Sequence, residues 1–164
     1  MAFRILLVDD ESAILSAWTR ALKSSGYVVK TAQTAQAAIQ LCEEYTFDLV
    51  VLDYIMPSMK GLELLTRIRK AQPLIRSILV SGKLDTGFDN ATVANELKVS
   101  VEADEYLHKP ISNHKLRESI QSLLADSVPR EWKGLASKTL KAKAITIKKA
   151  KAASKKLDAI RKKR

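Results

Sequence analysis

Asp9 and Asp10 stand side by side at the end of an apolar run in the stretch ILLVDDE. Adjacent carboxylates repel and raise each other's pKa, so this pair calls for a positive partner. A third carboxylate, Asp53, ends a second apolar run in VVLDYIMP; Ser81 ends a third in ILVSG, and Lys109 follows a fourth in YLHKP. Three carboxylates gathered at one place make a hard-oxygen site of the kind that holds Mg²⁺ with several waters and a phosphate oxygen. A shared divalent cation accounts for the acidic pair and neutralises charge on a phosphoryl group in transfer. A carboxylate can itself be the nucleophile and form an aspartyl-phosphate. A lysine opposite supplies a compact charge for the phosphoryl oxygens, and a small hydroxyl can bond another.

For these residues to meet, the elements carrying them must run in one direction. Short β-branched or leucine-rich runs predict strands over residues 3–8, 27–31, 49–53, 77–81 and 105–108. Helical periodicity falls between them, over 12–24, 34–44, 61–72, 86–100 and 112–125. Ser12 and Thr34 read as N-caps, and Gly26 as the stop of the first helix. A run such as LVVLD, apolar on both faces, is typical of a central parallel strand. Five βα units in about 125 residues predict a doubly wound α/β sandwich. In such sheets functional groups collect at the C-terminal ends of the strands, beside the point where strand order switches.

Composition narrows the setting. No apolar run is long enough to span a bilayer, and no signal peptide is read at the N-terminus. The single cysteine, Cys42, cannot form an internal disulfide, which fits a reducing, cytoplasmic location. His108 and His114 do not suggest a structural zinc site. The net charge of +10 is unevenly spread. Residues 1–129 carry 14 Lys+Arg and 16 Asp+Glu, whereas residues 130–164 carry 14 Lys+Arg and only Glu131 and Asp158. The expected organisation is a near-neutral domain over 1–128 and a basic Lys/Ala-rich tail over 129–164.

The motifs VDDE, DYIMPSMKGLELL, SG and YLHKP, in that order, resemble the receiver domain of bacterial two-component response regulators across about residues 3–126. The resemblance implies a flavodoxin-like five-stranded parallel sheet of order 2-1-3-4-5 with helices on both faces. It implies Asp53 as phosphoacceptor, Asp10 as a direct Mg²⁺ ligand, Asp9 acting through water, and the Ile55 carbonyl as a further ligand. Ser81 matches the switch hydroxyl, Gly82 the small residue beside it, Lys109 the phosphate-pairing lysine, and Tyr106 the aromatic that turns inward on activation. The Lys109–Pro110 bond matches one that is usually cis in the family. The implied reaction moves a phosphoryl group from a histidine kinase or phosphotransfer protein to Asp53, followed by hydrolysis and a population shift that signals to a downstream partner.

Some features depart from that pattern or stand outside it. Ser81 and Lys109 are 28 positions apart, more than the family usually has, and Glu102 precedes Ala103 where a glycine is common. The helix before the fifth strand is therefore expected to be longer or displaced. Ile55 and Lys83, near the water path, are candidates for slowing hydrolysis. Tyr106 also reads as an ordinary half-buried strand tyrosine, Cys42 as a packed core thiol, and Met56 and Pro57 as loop-shaping residues. His108 reads as an exposed edge residue and His114 as part of the last helix's first turn.

Turning the tail at 100° per residue gathers Trp132, Leu135, Leu140, Ile147, Leu157 and Ile160 on an arc of about 160°, with most lysines opposite. This is a candidate basic amphipathic helix or a disordered segment. It reads as a solvated tail, a non-specific nucleic-acid binder, a contact for an acidic partner, or a membrane-surface segment. Two other readings of the domain compete with the phospho-receiver. A haloacid-dehalogenase-type phosphatase would carry its nucleophile in a D-x-D pattern on the first strand, which reads D-D here. A degenerate receiver that only binds partners would not need the intact set Asp9, Asp10, Asp53, Ser81 and Lys109.

Overall fold

The computed structural model describes residues 2–82 and 103–125. Five strands are present among them: β1 (Arg4–Val8), β2 (Val28–Ala32), β3 (Leu49–Asp53), β4 (Arg76–Ser81) and β5 (Glu105–His108). Four helices accompany them: α1 (Ser12–Lys23), α2 (Ala35–Glu44), α3 (Gly61–Ala71) and α4 (Asn113–Ala125). The strands form one parallel sheet in the order β2-β1-β3-β4-β5, the expected one. The helix expected over 86–100, Lys83, and the tail beyond residue 128 lie outside the described residues.

Strand alternation divides the core into two layers. Leu6, Val8, Val50, Leu52 and Leu79 face α2 and α3, joining Ala38, Cys42, Leu62, Leu65 and Ile68. Ile5, Leu7, Leu49, Val51, Ile78 and Val80 face α1 and α4, joining Leu15, Trp18, Leu22, Leu116 and Ile120. This two-sided burial is why β3 needs five consecutive buried residues. Each fully buried leucine or isoleucine contributes about 1.5–3 kcal/mol. No helix among the described residues is long and apolar enough to cross a membrane.

The helix ends follow local chemistry, with one correction. Thr34 caps α2, its hydroxyl accepting from the Ala37 N–H at 3.2 Å. Gly26, at φ 84°, closes α1: its N–H donates to Lys23 O and that of Tyr27 to Leu22 O, the paired bonds of a Schellman ending. Ser12 is not the N-cap but the first helical residue; Glu11 precedes it without a side-chain capping bond. The Glu11 N–H donates to Asp9 Oδ1 at 2.9 Å, a turn that closes the chain between the strand end and the helix start.

Polar clamps fix the N-terminal end of the sheet. Asp48, almost fully buried, accepts from the Arg4 N–H at 2.8 Å. Gln72 donates to Cys42 O and Tyr45 O at 2.9 and 2.7 Å and accepts from the Phe47 N–H at 2.9 Å, satisfying carbonyls at the end of α2. Asp104 accepts from the Ser77 N–H and hydroxyl, and pairs with Arg69 at 2.7 Å and Arg76 at 3.1 Å.

Candidate functional site

Register sets the site. Val8 pairs with Leu52, so Asp9 and Asp53, one residue further on, end neighbouring strands. Asp53 in turn pairs with Val80, and Ser81 with His108, which brings Lys109 to the same edge. The ladder continues past these ends: the Asp9 N–H donates to Ala32 O, Tyr54 N–H to Val80 O and Lys109 N–H to Ser81 O. The side chains therefore project from a stiff backbone.

Carboxylate oxygens of Asp9, Asp10 and Asp53 all lie within 4.8 Å of one another. Asp9 is fully buried, Asp53 nearly so, and Asp10 exposed. Lys109 Nζ reaches Asp9 Oδ2 at 2.7 Å and Asp53 Oδ2 at 2.9 Å, with Glu11 Oε1 at 3.7 Å. The second oxygen of Asp53 accepts from the Ile55 N–H at 3.2 Å. Burial pushes the Asp9 carboxyl up, against the pull of Lys109 and the Glu11 N–H. Burial works to lower the Lys109 ammonium, but bonds to Asp9 and Asp53 outweigh it and hold it above the usual lysine value. One ammonium does not balance three carboxylates, and the donor set of hard oxygens, partly open through Asp10, suits a divalent cation.

Around this cluster, Ser81 is buried at the end of β4. A Cβ at Gly82 would meet only the Lys109 stem, at 3.9 Å, in ordinary contact. Ile55 is 53% exposed beside Asp53, and Met56 is buried in the core layer. Tyr106 is half-buried, its hydroxyl accepting from the Ala103 N–H at 3.2 Å. The Lys109–Pro110 bond is cis. Cys42 is buried, and His108 and His114 are exposed.

Two neighbours were not singled out in the sequence. Glu11, third of the acidic run, approaches Lys109. Gly61 opens α3 with its N–H on Tyr54 O; a Cβ there would collide with Asp53 O and stand 2.9 Å from Leu79 Cδ1. Its only signal was its place in MKGLELL.

Comparison with known proteins agrees with this architecture. Residues 5–121 match the response regulator receiver domain family. The chain is 36% identical over 122 residues to the sensor kinase CckA of Brucella abortus, covering 73% of this chain and 12% of that protein. It is 38% identical over 116 residues to the alginate biosynthesis transcriptional regulatory protein AlgB of Pseudomonas putida, covering 70% and 24%. With the alkaline phosphatase synthesis transcriptional regulatory protein PhoP of Bacillus subtilis it shares 33% over 124 residues, covering 76% and 49%. It thus spans half or less of each of these relatives. A CheY-like receiver domain protein from Methanospirillum hungatei superposes with a TM-score of 0.67 at 32% identity, covering 77% of this chain and 96% of that one. The response regulator TrrA of Thermotoga maritima, solved with Mg²⁺ and BeF, gives 0.62 at 33%, covering 74% and 99%. A sheet of this order, with its acids at one edge and this breadth of likeness, places the chain in the receiver domain family of two-component response regulators.

Proposed function

We propose that the domain accepts a phosphoryl group on Asp53 from a histidine kinase or phosphotransfer protein and signals by a change at the same sheet edge. The observation that carries this reading is Lys109, bonded at once to Asp53 and Asp9 where three carboxylates meet. An Asp53 oxygen attacks the phosphorus of a phosphohistidine; the P–N bond breaks, imidazole leaves, and an acyl phosphate forms. Lys109 already lies within hydrogen-bond reach of Asp53 and can pair with the incoming oxygens. Asp9, Asp10 and Asp53, with the Ile55 carbonyl, would hold Mg²⁺, which when bound supplies charge neutralisation for the phosphoryl oxygens. The Ile55 N–H helps to orient Asp53. Ser81, at the end of the neighbouring strand, serves as the hydroxyl that turns to a phosphoryl oxygen, and Tyr106 follows by giving up its bond to Ala103. Hydrolysis then returns the carboxylate, with water attacking phosphorus; exposed Ile55 crowds its approach.

The test is intact mass after incubation with Mg²⁺ and acetyl phosphate, for the wild type and Asp53→Ala. Gain of one phosphoryl group by the wild type alone is the expected result. Equal labelling of the variant would remove Asp53 from the mechanism.

A second reading concerns output. The 14 Lys+Arg against two acids in residues 130–164 favour a tail that binds nucleic acid through phosphate neutralisation. Full chain and a chain ending at residue 128 should then differ in salt-dependent DNA binding. Equal binding would sink this reading and leave the phospho-receiver untouched.

A further inference from the structure

Among the described residues, β2 is a terminal strand of the sheet and pairs only with β1. The Val28 N–H and the Ala32 carbonyl face β1, bonded to Phe3 O and the Asp9 N–H. Strand alternation therefore turns the amides and carbonyls of Val29 and Thr31 to the open side. A cleft of about 710 Å³ runs along this edge, walled by Arg20 and Lys23 of α1 and Leu41 of α2, with Val29, Lys30 and Thr31 as its floor.

The cleft is cationic. Among the described residues, Arg20, Lys23 and Lys30 make no ion pair with a carboxylate. Lys30 lies 3.8 Å from the centre of the Tyr45 ring, which positions the ammonium without cancelling its charge. The Thr19 hydroxyl in the same wall is sealed from solvent and has no hydrogen-bond partner among the described residues. A lone lysine is enough to blunt an exposed edge. Three cations go further: they repel another copy of this edge and select a strand of opposite charge.

We propose that the open edge of β2 docks an acidic polypeptide segment in extended form, which joins the sheet as a sixth strand. Its backbone pairs with Val29 and Thr31, and its carboxylates meet Arg20, Lys23 and Lys30. Main-chain bonds supply affinity in such additions, and side chains supply selectivity. The surface is separate from the acidic edge around Asp53, so this proposal goes beyond phosphoryl acceptance and does not depend on it.

The test uses isotope-labelled full-length protein and a peptide of eight alternating Glu and Val residues. The amide signals of Val29 and Thr31 should shift and gain exchange protection. The triple variant R20E/K23E/K30E should bind about tenfold more weakly or worse, as three attractive contacts become repulsive. Because the lysine-rich residues 130–164 also attract acids, the control is the same peptide N-methylated at every second residue. It keeps the charge but cannot pair, and should leave Val29 and Thr31 unprotected. The proposal is overturned if the methylated peptide protects them equally, if inorganic phosphate alone reproduces the shifts, or if the two signals stay still.

Discussion

The first residue of α3, Gly61, packs so closely on the main-chain carbonyl of Asp53 that no methyl group fits between them. The Gly61 N–H also closes on Tyr54 O at 2.9 Å, holding the start of α3 against the end of β3. Gly61→Ala must displace backbone, not a flexible side-chain tip. A loss of about 1–3 kcal/mol is expected, read as a lower urea midpoint with an unchanged slope. An unaltered midpoint would show that the helix shifts freely and that the close approach is incidental.

Lys109 is the next prediction. Lys109→Met leaves the buried carboxylates of Asp9 and Asp53 facing each other without their cation. Without divalent metal the variant should be less stable by about 3 kcal/mol. Its affinity for Mg²⁺ should rise, because an ammonium no longer competes for the same oxygens. Unit charges 4 Å apart in a protein-like dielectric interact by about 4 kcal/mol, and a third of that is about tenfold in affinity. Titration calorimetry decides: weaker Mg²⁺ binding by the variant would mean that Lys109 organises the acids and does not compete for them.

Asp104 predicts an acid-sensitive contribution to stability. Burial lifts its carboxyl, but Ser77, Arg69 and Arg76 together hold it below the ordinary value of 3.8. A group depressed on folding stabilises fully above its unfolded value and loses that contribution as pH falls through the folded one. Asp104→Asn should therefore cost about 2 kcal/mol near neutrality, with the gap to wild type closing in acid, below 3.8. A gap constant across that range would assign the loss to packing.

Cys42 should be silent in the native state. Burial pushes its thiol up to about 12, so around pH 8 only about one molecule in ten thousand carries the thiolate that reacts. An aromatic disulfide reagent should label it only as the protein unfolds, with a rate that follows the unfolding equilibrium. Rapid labelling without denaturant would show that α2 opens locally.

The sheet order was legible only through the resemblance to receiver domains, whereas the meeting of Asp9, Asp10, Asp53 and Lys109 follows from the strand pattern itself. An apolar run buried on both faces marks a central strand, and parallel strands must end at one edge. Thr34 and Gly26 were legible because caps are local. Ser12 was misread because the turn ahead of the helix, closed by the Glu11 N–H on Asp9, places it one residue inside α1, and Asp9 is itself held by Lys109 a hundred positions away. Gln72, Asp48 and Asp104 left no trace either. Each bonds a partner brought near only by the finished fold, and an ordinary polar residue in a loop or strand end looks the same without it. Gly61 was seen but not understood, since close backbone approach has no signature beyond the glycine itself.

Those three polar residues share one end of the sheet. Asp48 ties the starts of β1, β3 and β4, Gln72 ties the entry to β3 to the end of α2, and Asp104 ties the starts of β4 and β5 to α3. At the opposite end, the main side-chain links between strands run through one ammonium and its carboxylates. Beyond the backbone ladder, the sheet is thus clamped by polar side chains at one end and joined by a charged cluster at the other. A phosphoryl group taken up as proposed would bring its new charge to the end that lacks those clamps, and the rearrangement it drives is expected at that edge and not at the clamped one.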